Sequence, residues 1–234
     1  MNDRIRSVLH GSKDGQEYYS PTDDYSIADY AYSQMNKPNG VPDKLKILCA
    51  ELLRYGGAAQ IYKNYRVNAL ADSNMTDTHK AYLSDIDAVT FGNTNQTLDD
   101  LANASIKWVG KSLNLDSKVC LKFIFSMGSY TGDVSDLSLR VSYTDTYGAT
   151  KELVLTNAEL YNAKLGYYAF TLDAMLAAEL RSVVSVQVYS GNTPVSCTLQ
   201  YSADTYGNNK TGTLLELCKA LFAYSDSAKS YFTN

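Results

Sequence analysis

From about residue 104 the chain alternates between apolar and polar positions. Leu137, Leu139, Val141 and Tyr143 alternate with Ser138, Arg140 and Ser142. Val184, Val186 and Val188 alternate with Ser185 and Gln187, and Val195, Cys197, Leu199 and Tyr201 with Ser196, Thr198 and Gln200. In 119–125, Val119, Leu121, Phe123 and Phe125 share one face, with Cys120 and Lys122 on the other. A period of two is the signature of a strand with one wet face. Further strands fit 105–109, 151–156 and 167–172, with one or two helical turns over 173–180. About seven short strands of this kind predict an antiparallel, Ig-like β-sandwich.

Ahead of residue 104 the period is 3.6, which predicts helices over 26–35 and 43–65, and a short one within 75–88. Residues 212–232 are helical again. Gly56 and Gly57 weaken the second helix by about 1 kcal/mol each relative to alanine, and close packing against a neighbour is one reason to keep them. Residues 4–22 read as a β-hairpin with Asp14 and Gly15 at its turn. The expected fold is α+β: a β-sandwich flanked by helical hairpins. Its segments are a remnant hairpin of a preceding module (1–23), a helical hairpin and linker (24–103), the sandwich (104–202) and a C-terminal helical hairpin (203–234).

The two long helices share a pattern. Residues 48–62 read LCAELLRYGGAAQIY and residues 217–231 read LCKALFAYSDSAKSY. The helix-stripe positions Leu48, Leu52, Tyr55, Ala59 and Tyr62 align with Leu217, Leu221, Tyr224, Ala228 and Tyr231, at steps of four and three that place them on one helical face. Upstream, Tyr25, Ser26 and Tyr30 align with Tyr201, Ser202 and Tyr206, and Ile5-Arg6-Ser7-Val8 with Leu180-Arg181-Ser182-Val183. The order is kept, with offsets of 175, 176 and 169 residues, which reads as an internal duplication. A longer loop around 36–41 in the first copy accounts for the shorter last offset. The second copy has a long β-rich stretch before it and the first does not, so the chain is expected to start inside a module. The hairpin at 4–22 would then fold back on the helices, pair with another copy or lack order.

Charge and rare residues narrow the function classes. With 21 basic and 25 acidic residues, the net charge of −4 argues against an electrostatically driven nucleic-acid binder. No apolar run is long enough to predict membrane insertion. Cys49, Cys120, Cys197 and Cys218 show no C-x-x-C spacing, and with histidine at only His10 and His79 no metal site is expected. Buried free thiols are the preferred reading, with Cys197 inward and Cys120 outward. The first residues lack the apolar core of a signal peptide.

The segments DYSIADYAYSQMNK and LKILCAELLRYGGAAQIYKNY carry the pattern YS-x-x-DY followed by a helix ending near YGAAAQ-x-Y. This resembles a recurrent module of secreted and surface proteins from Gram-positive (Firmicutes) gut bacteria, and the strand segments SLNLDSKVCLKFIF and VVSVQVYSGNTPVSCTLQYSADTY are similar to its β part. The resemblance implies an extracellular or cell-surface setting and an accessory or spacer role, with adjacent modules of the parent chain as partners. It carries no catalytic residue and no cofactor. The second copy departs from the pattern, with Ser225-Asp226-Ser227 where the first has Gly56-Gly57-Ala58.

Tyrosine, with 20 residues, is the compositional outlier and raises the alternative of a glycan-binding accessory module with polysaccharide as partner. Tyr130 and Tyr147, in turns, and Trp108, on the first sandwich strand, form the candidate set; the competing reading places tyrosines at half-buried strand and helix positions and Trp108 in the core. Asp72, Asn74 and Asp77 fail the calcium-loop pattern, since position six is not glycine and position twelve is Leu83. Asp133 and Asp136 read as turn caps. The pairs Asp85 and Asp87, and Asp99 and Asp100, lack the cross-cleft placement glycosidases need. A triad through His79 has no G-x-S-x-G elbow beside it, so no enzyme is expected. Strand pairing between copies through residues 4–22 completes the set of expected partners.

Overall fold

The computed structural model describes residues 5–7, 10–13, 16–19, 23–98, 104–116 and 118–233. The chain divides into two units, one of residues 1–89 with 211–227 and the other of residues 90–210 with 228–234.

The first unit is mainly helical. It begins with strands β1 (Ile5–Ser7), β2 (His10–Lys13), β3 (Gln16–Tyr19) and β4 (Asp23–Tyr25). β1 pairs with β4 and β2 with β3, both antiparallel, in two two-stranded ladders. Lys13 pairs with Gln16; the predicted turn residues Asp14 and Gly15 lie outside the described residues.

Helix α1 (Ile27–Asn36) starts where Ser26 and Asp29 form a capping box: the Asp29 N–H donates to Ser26 Oγ, and Asp29 Oδ2 accepts from the Ser26 N–H. Helix α2 (Asp43–Tyr62) follows, then the single turn of α3 (Asp77–Lys80) and a 3₁₀ turn at Ile86–Ala88. Ala28, Ala31 and Met35 of α1 meet Cys49, Ala50 and Leu53 of α2, with Ala71 and Met75 closing the cluster. Gly57 marks a close approach, because a Cβ there would lie 2.4 Å from Asp72 Oδ1.

The second unit is two antiparallel sheets in a sandwich-like arrangement. Its strands are β5 (Asn95–Thr97), β6 (Lys107–Asn114), β7 (Cys120–Ser126), β8 (Leu137–Thr144), β9 (Thr150–Leu155), β10 (Glu159–Asn162), β11 (Tyr167–Leu172), β12 (Val183–Ser190), β13 (Thr193–Pro194) and β14 (Leu199–Ser202). One sheet runs β10-β11-β7-β6 and the other β5-β14-β12-β8-β9, with β13 paired to β12. Phe123, Phe125 and Phe170 from the first sheet and Leu139, Val184, Val186 and Val188 from the second are fully or almost fully buried. Phe123 meets Tyr201 edge-on, at 6.4 Å between ring centres, joining the two inner faces.

A 3₁₀ helix at Ala203–Gly207 precedes helix α4 (Gly212–Phe232), which buries Leu217, Cys218, Ala220, Leu221, Phe222, Ala223 and Ala228. Among the described residues no helix is long and apolar enough to cross a membrane.

Burial differs from expectation at two cysteines. Cys120 shares the face of Lys122 and Ile124, as the alternation predicts, but is buried and not exposed, as is Ile124. Cys197 is half-buried instead of inward. The strand breaks before β14, and Ser196 turns in, its hydroxyl accepting from the Val188 N–H at 2.8 Å and standing in for a ladder carbonyl. None of the four cysteines forms a disulfide.

Candidate functional site

In the first unit, buried polar side chains clamp loops to helices. Glu51 of α2 is 1% exposed. Its Oε1 accepts from the N–H and the hydroxyl of Ser84, each at 2.8 Å, and its Oε2 pairs with Arg54. Arg54 in turn donates to the Ser84 carbonyl at 2.9 Å. One helical turn therefore captures the backbone N–H, carbonyl and hydroxyl of a single loop serine. Gln60 does similar work: its amide donates to Ala69 O at 3.0 Å and its carbonyl accepts from the Ala71 N–H at 2.7 Å. This brace holds a loop in which Asn64 and Arg66 both adopt φ 49°. His79 is buried, and its Nδ1 accepts from the Thr76 N–H. Nε2 therefore carries the proton and donates to Asn36 Oδ1 at 2.9 Å, so neither nitrogen is left for a nucleophile.

The second unit repeats the theme. Asp204 accepts from the Ser202 hydroxyl at 2.6 Å and pairs with Arg181 at 3.4 Å, while Arg181 also donates to Thr90 O. Glu179 accepts from the Leu176 N–H and the Tyr143 hydroxyl, with Lys151 at 3.9 Å. Burial raises the Tyr143 hydroxyl, and its hydrogen bond to Lys151 raises that ammonium. A general base needs a lysine shifted the other way, so the trio is set as a brace. Burial likewise pushes the Cys49 thiol up to about 11, away from reactivity.

Of the three aromatics considered for sugar stacking, Tyr147 and Tyr130 stand at opposite ends of β8, and Trp108 is half-buried. Tyr147 is 75% exposed, on a β8–β9 turn held by Asp145, whose carboxylate accepts from the Tyr147 and Ala149 N–H groups. Tyr130 lies at the other end of β8, about 25 Å away at ~3.3 Å per strand residue. Its hydroxyl bonds to Ser190 Oγ at 2.9 Å, and its ring covers Gly132. Trp108 is half-buried, donating to Cys197 O at 2.8 Å and meeting Phe123 edge-on.

The stripe positions of α2, Leu48, Leu52, Tyr55, Ala59 and Tyr62, are half-buried; its most deeply buried face is instead Cys49, Ala50, Leu53, Gly56, Gly57 and Gln60. In α4, Leu217, Leu221 and Ala228 are buried, and Tyr224 and Tyr231 half-buried. The aligned positions Tyr55 and Tyr224 stack on each other, 5.9 Å between centres and 3° between planes.

The acidic residues weighed as sites have local tasks. Asp133 caps a 3₁₀ turn through Ser135, whose hydrogen bonds lower its pKa, and Asp87 pairs with Lys219 at 2.8 Å. Asp99 and Asp100 lie outside the described residues. Among the described residues no group of three or more His, Cys, Asp or Glu side chains is placed to hold a metal.

A concave feature that sequence reading missed lies on the outer face of the six-stranded sheet: a trough of about 320 Å³. Its floor is low because Ser142 and Ser185 stand opposite each other on β8 and β12. Glu152 flanks Ser142 on β9. One step along, Arg140 lies 3.9 Å over the Tyr189 ring, the Tyr189 hydroxyl donates to Gln187 Oε1 at 3.0 Å, and Gln187 donates to Ser196 O at 2.9 Å. Alternation marks these residues as outward, but only strand order and register bring them together.

No protein-family model, curated protein or solved structure matches the chain.

Proposed function

We propose that the chain is a non-catalytic structural module of an extracellular or cell-surface bacterial protein, in which Ig-like β-sandwiches alternate with helical hairpins and contact adjacent modules of the parent chain. The observation that carries this reading is the stack of Tyr55 on Tyr224, two positions that align in the duplicated sequence. Element order supports it. The β1–β4 and β2–β3 ladders precede α1 and α2, and the paired strands β12 and β14 precede a 3₁₀ turn and α4. The braces at Glu51, Gln60, Glu179 and Asp204 fit the same role, since each spends a polar side chain on holding backbone in place. Strand pairing between copies through residues 4–22 belongs to this proposal, supported by the two-stranded ladders β1–β4 and β2–β3.

Two experiments test it. Antibody raised against the chain should label intact source cells; labelling only after lysis would contradict the surface setting. Replacing the chain within its parent by an unrelated domain of equal reach should leave the parent's activity unchanged. Loss of activity at preserved reach would contradict a spacer.

A further inference from the structure

We infer that the trough on the outer face of the six-stranded sheet binds a neutral oligosaccharide laid across β9, β8 and β12. This is independent of the spacer reading, since a module can hold distance with or without gripping a glycan.

The chemistry of the lining selects the ligand class. Ser142, Ser185 and Thr198 offer hydroxyls, Gln187 an amide, Glu152 a carboxylate and Arg140 a guanidinium. Sugar hydroxyls both donate and accept, and neighbouring pairs bridge the two polar atoms of a planar amide, carboxylate or guanidinium. One cation and one carboxylate leave the trough without net charge, which disfavours a phosphorylated or uronate polymer. Val154, 61% exposed on the strand beside Arg140, supplies an apolar strip for the C–H face of a sugar.

Preorganisation adds to the case. Tyr189 anchors both Arg140 and Gln187, and Arg140 is tied further to Asn192 at 3.1 Å. Side chains already held in place lose less entropy on binding. The volume, about 320 Å³, falls at the lower end of small-ligand pockets. Glu152 is the one carboxylate in the lining, whereas glycoside cleavage uses two across the bond, so the trough is built to hold a glycan and not to cut it.

The test is affinity electrophoresis of the full chain through gels containing xyloglucan, galactomannan, arabinoxylan or mixed-linkage β-glucan. Polygalacturonate and gelatin gels probe an anionic polymer and a polypeptide as rival occupants. Two variants address the trough: Ser142→Tyr fills the floor with a strand-compatible side chain, and Glu152→Ala removes an acceptor from an edge strand. Tyr147→Ala is the control, and melting curves confirm that each variant is folded. The inference predicts retardation by at least one neutral glycan, weakened about tenfold or more by either trough variant, as expected for losing a hydrogen bond to a charged group, and unchanged by Tyr147→Ala. It is overturned if no neutral glycan retards the chain, if only polygalacturonate or gelatin does, or if retardation survives both folded trough variants.

Discussion

Removing the Glu51 carboxylate should expose how strongly the first unit depends on its internal braces. In Glu51→Ala, Ser84 loses the acceptor for its N–H and hydroxyl, and Arg54, with a side chain 14% exposed, loses its counter-charge. Breaking one side of a buried pair costs about 3–5 kcal/mol, a large part of the 5–15 kcal/mol that typically holds a domain folded. Glu51→Gln keeps the volume and one carbonyl acceptor for Ser84 but turns an NH₂ group toward Arg54, so about 2 kcal/mol is expected. Ser84→Ala, which removes only the hydroxyl, should cost about 1 kcal/mol. The double variant Glu51→Leu with Arg54→Met removes both charges together and should recover much of the Glu51→Ala loss, since a buried pair is often no better than well-packed apolar groups. Urea unfolding followed by circular dichroism reads all four. A Glu51→Ala cost below about 1 kcal/mol, or a double variant weaker than Glu51→Ala, would refute the reasoning.

Other predictions follow the same logic. Gly57→Ala should destabilise by about 1–2 kcal/mol despite its better helix propensity, because the new methyl meets the Asp72 carboxylate; in an Asp72→Ala background it should become neutral or stabilising, and a cost that persists there would locate the strain elsewhere. Burial raises the hydroxyls of Tyr55, Tyr143, Tyr201 and Tyr224 and the Cys49 thiol in the folded chain. The unfolded chain then loses these protons first, so stability should be intact below about pH 9 and fall as pH climbs through 9–11. Denaturant midpoints that stay level across that range would contradict this burial. Trp108, the single tryptophan, should emit at blue-shifted wavelengths and resist acrylamide, with both properties lost on unfolding.

The parts of this fold that were legible in the sequence are those where one face is wet. The alternation of 137–143 and 184–188 matches the burial of β8 and β12 position by position. On β7 alternation put Cys120 on the right face but could not show that Cys120 and Ile124 on that face are buried as well. Where a side chain replaces a backbone acceptor, as Ser196 does, it misplaced Cys197. β5 and β10 escaped notice because Asn95–Thr97 is a short polar run and Glu159–Asn162 shows no clean alternation. On α2 the Leu/Tyr stripe was visible, but the deepest face includes Lys46, Glu51 and Gln60, whose burial depends on partners far along the chain. The trough was invisible for a related reason: Ser142, Glu152 and Ser185 are neighbours only through register.

The central claim is that the aligned stripe positions Tyr55 and Tyr224 meet, and a double-mutant cycle on Tyr55→Leu and Tyr224→Leu tests it most directly. Leucine keeps each site apolar while removing the ring, so the coupling isolates the stack. Parallel rings 5.9 Å apart should couple by about 0.5–1.5 kcal/mol in urea unfolding. Strictly additive losses, with no coupling, would contradict the claim.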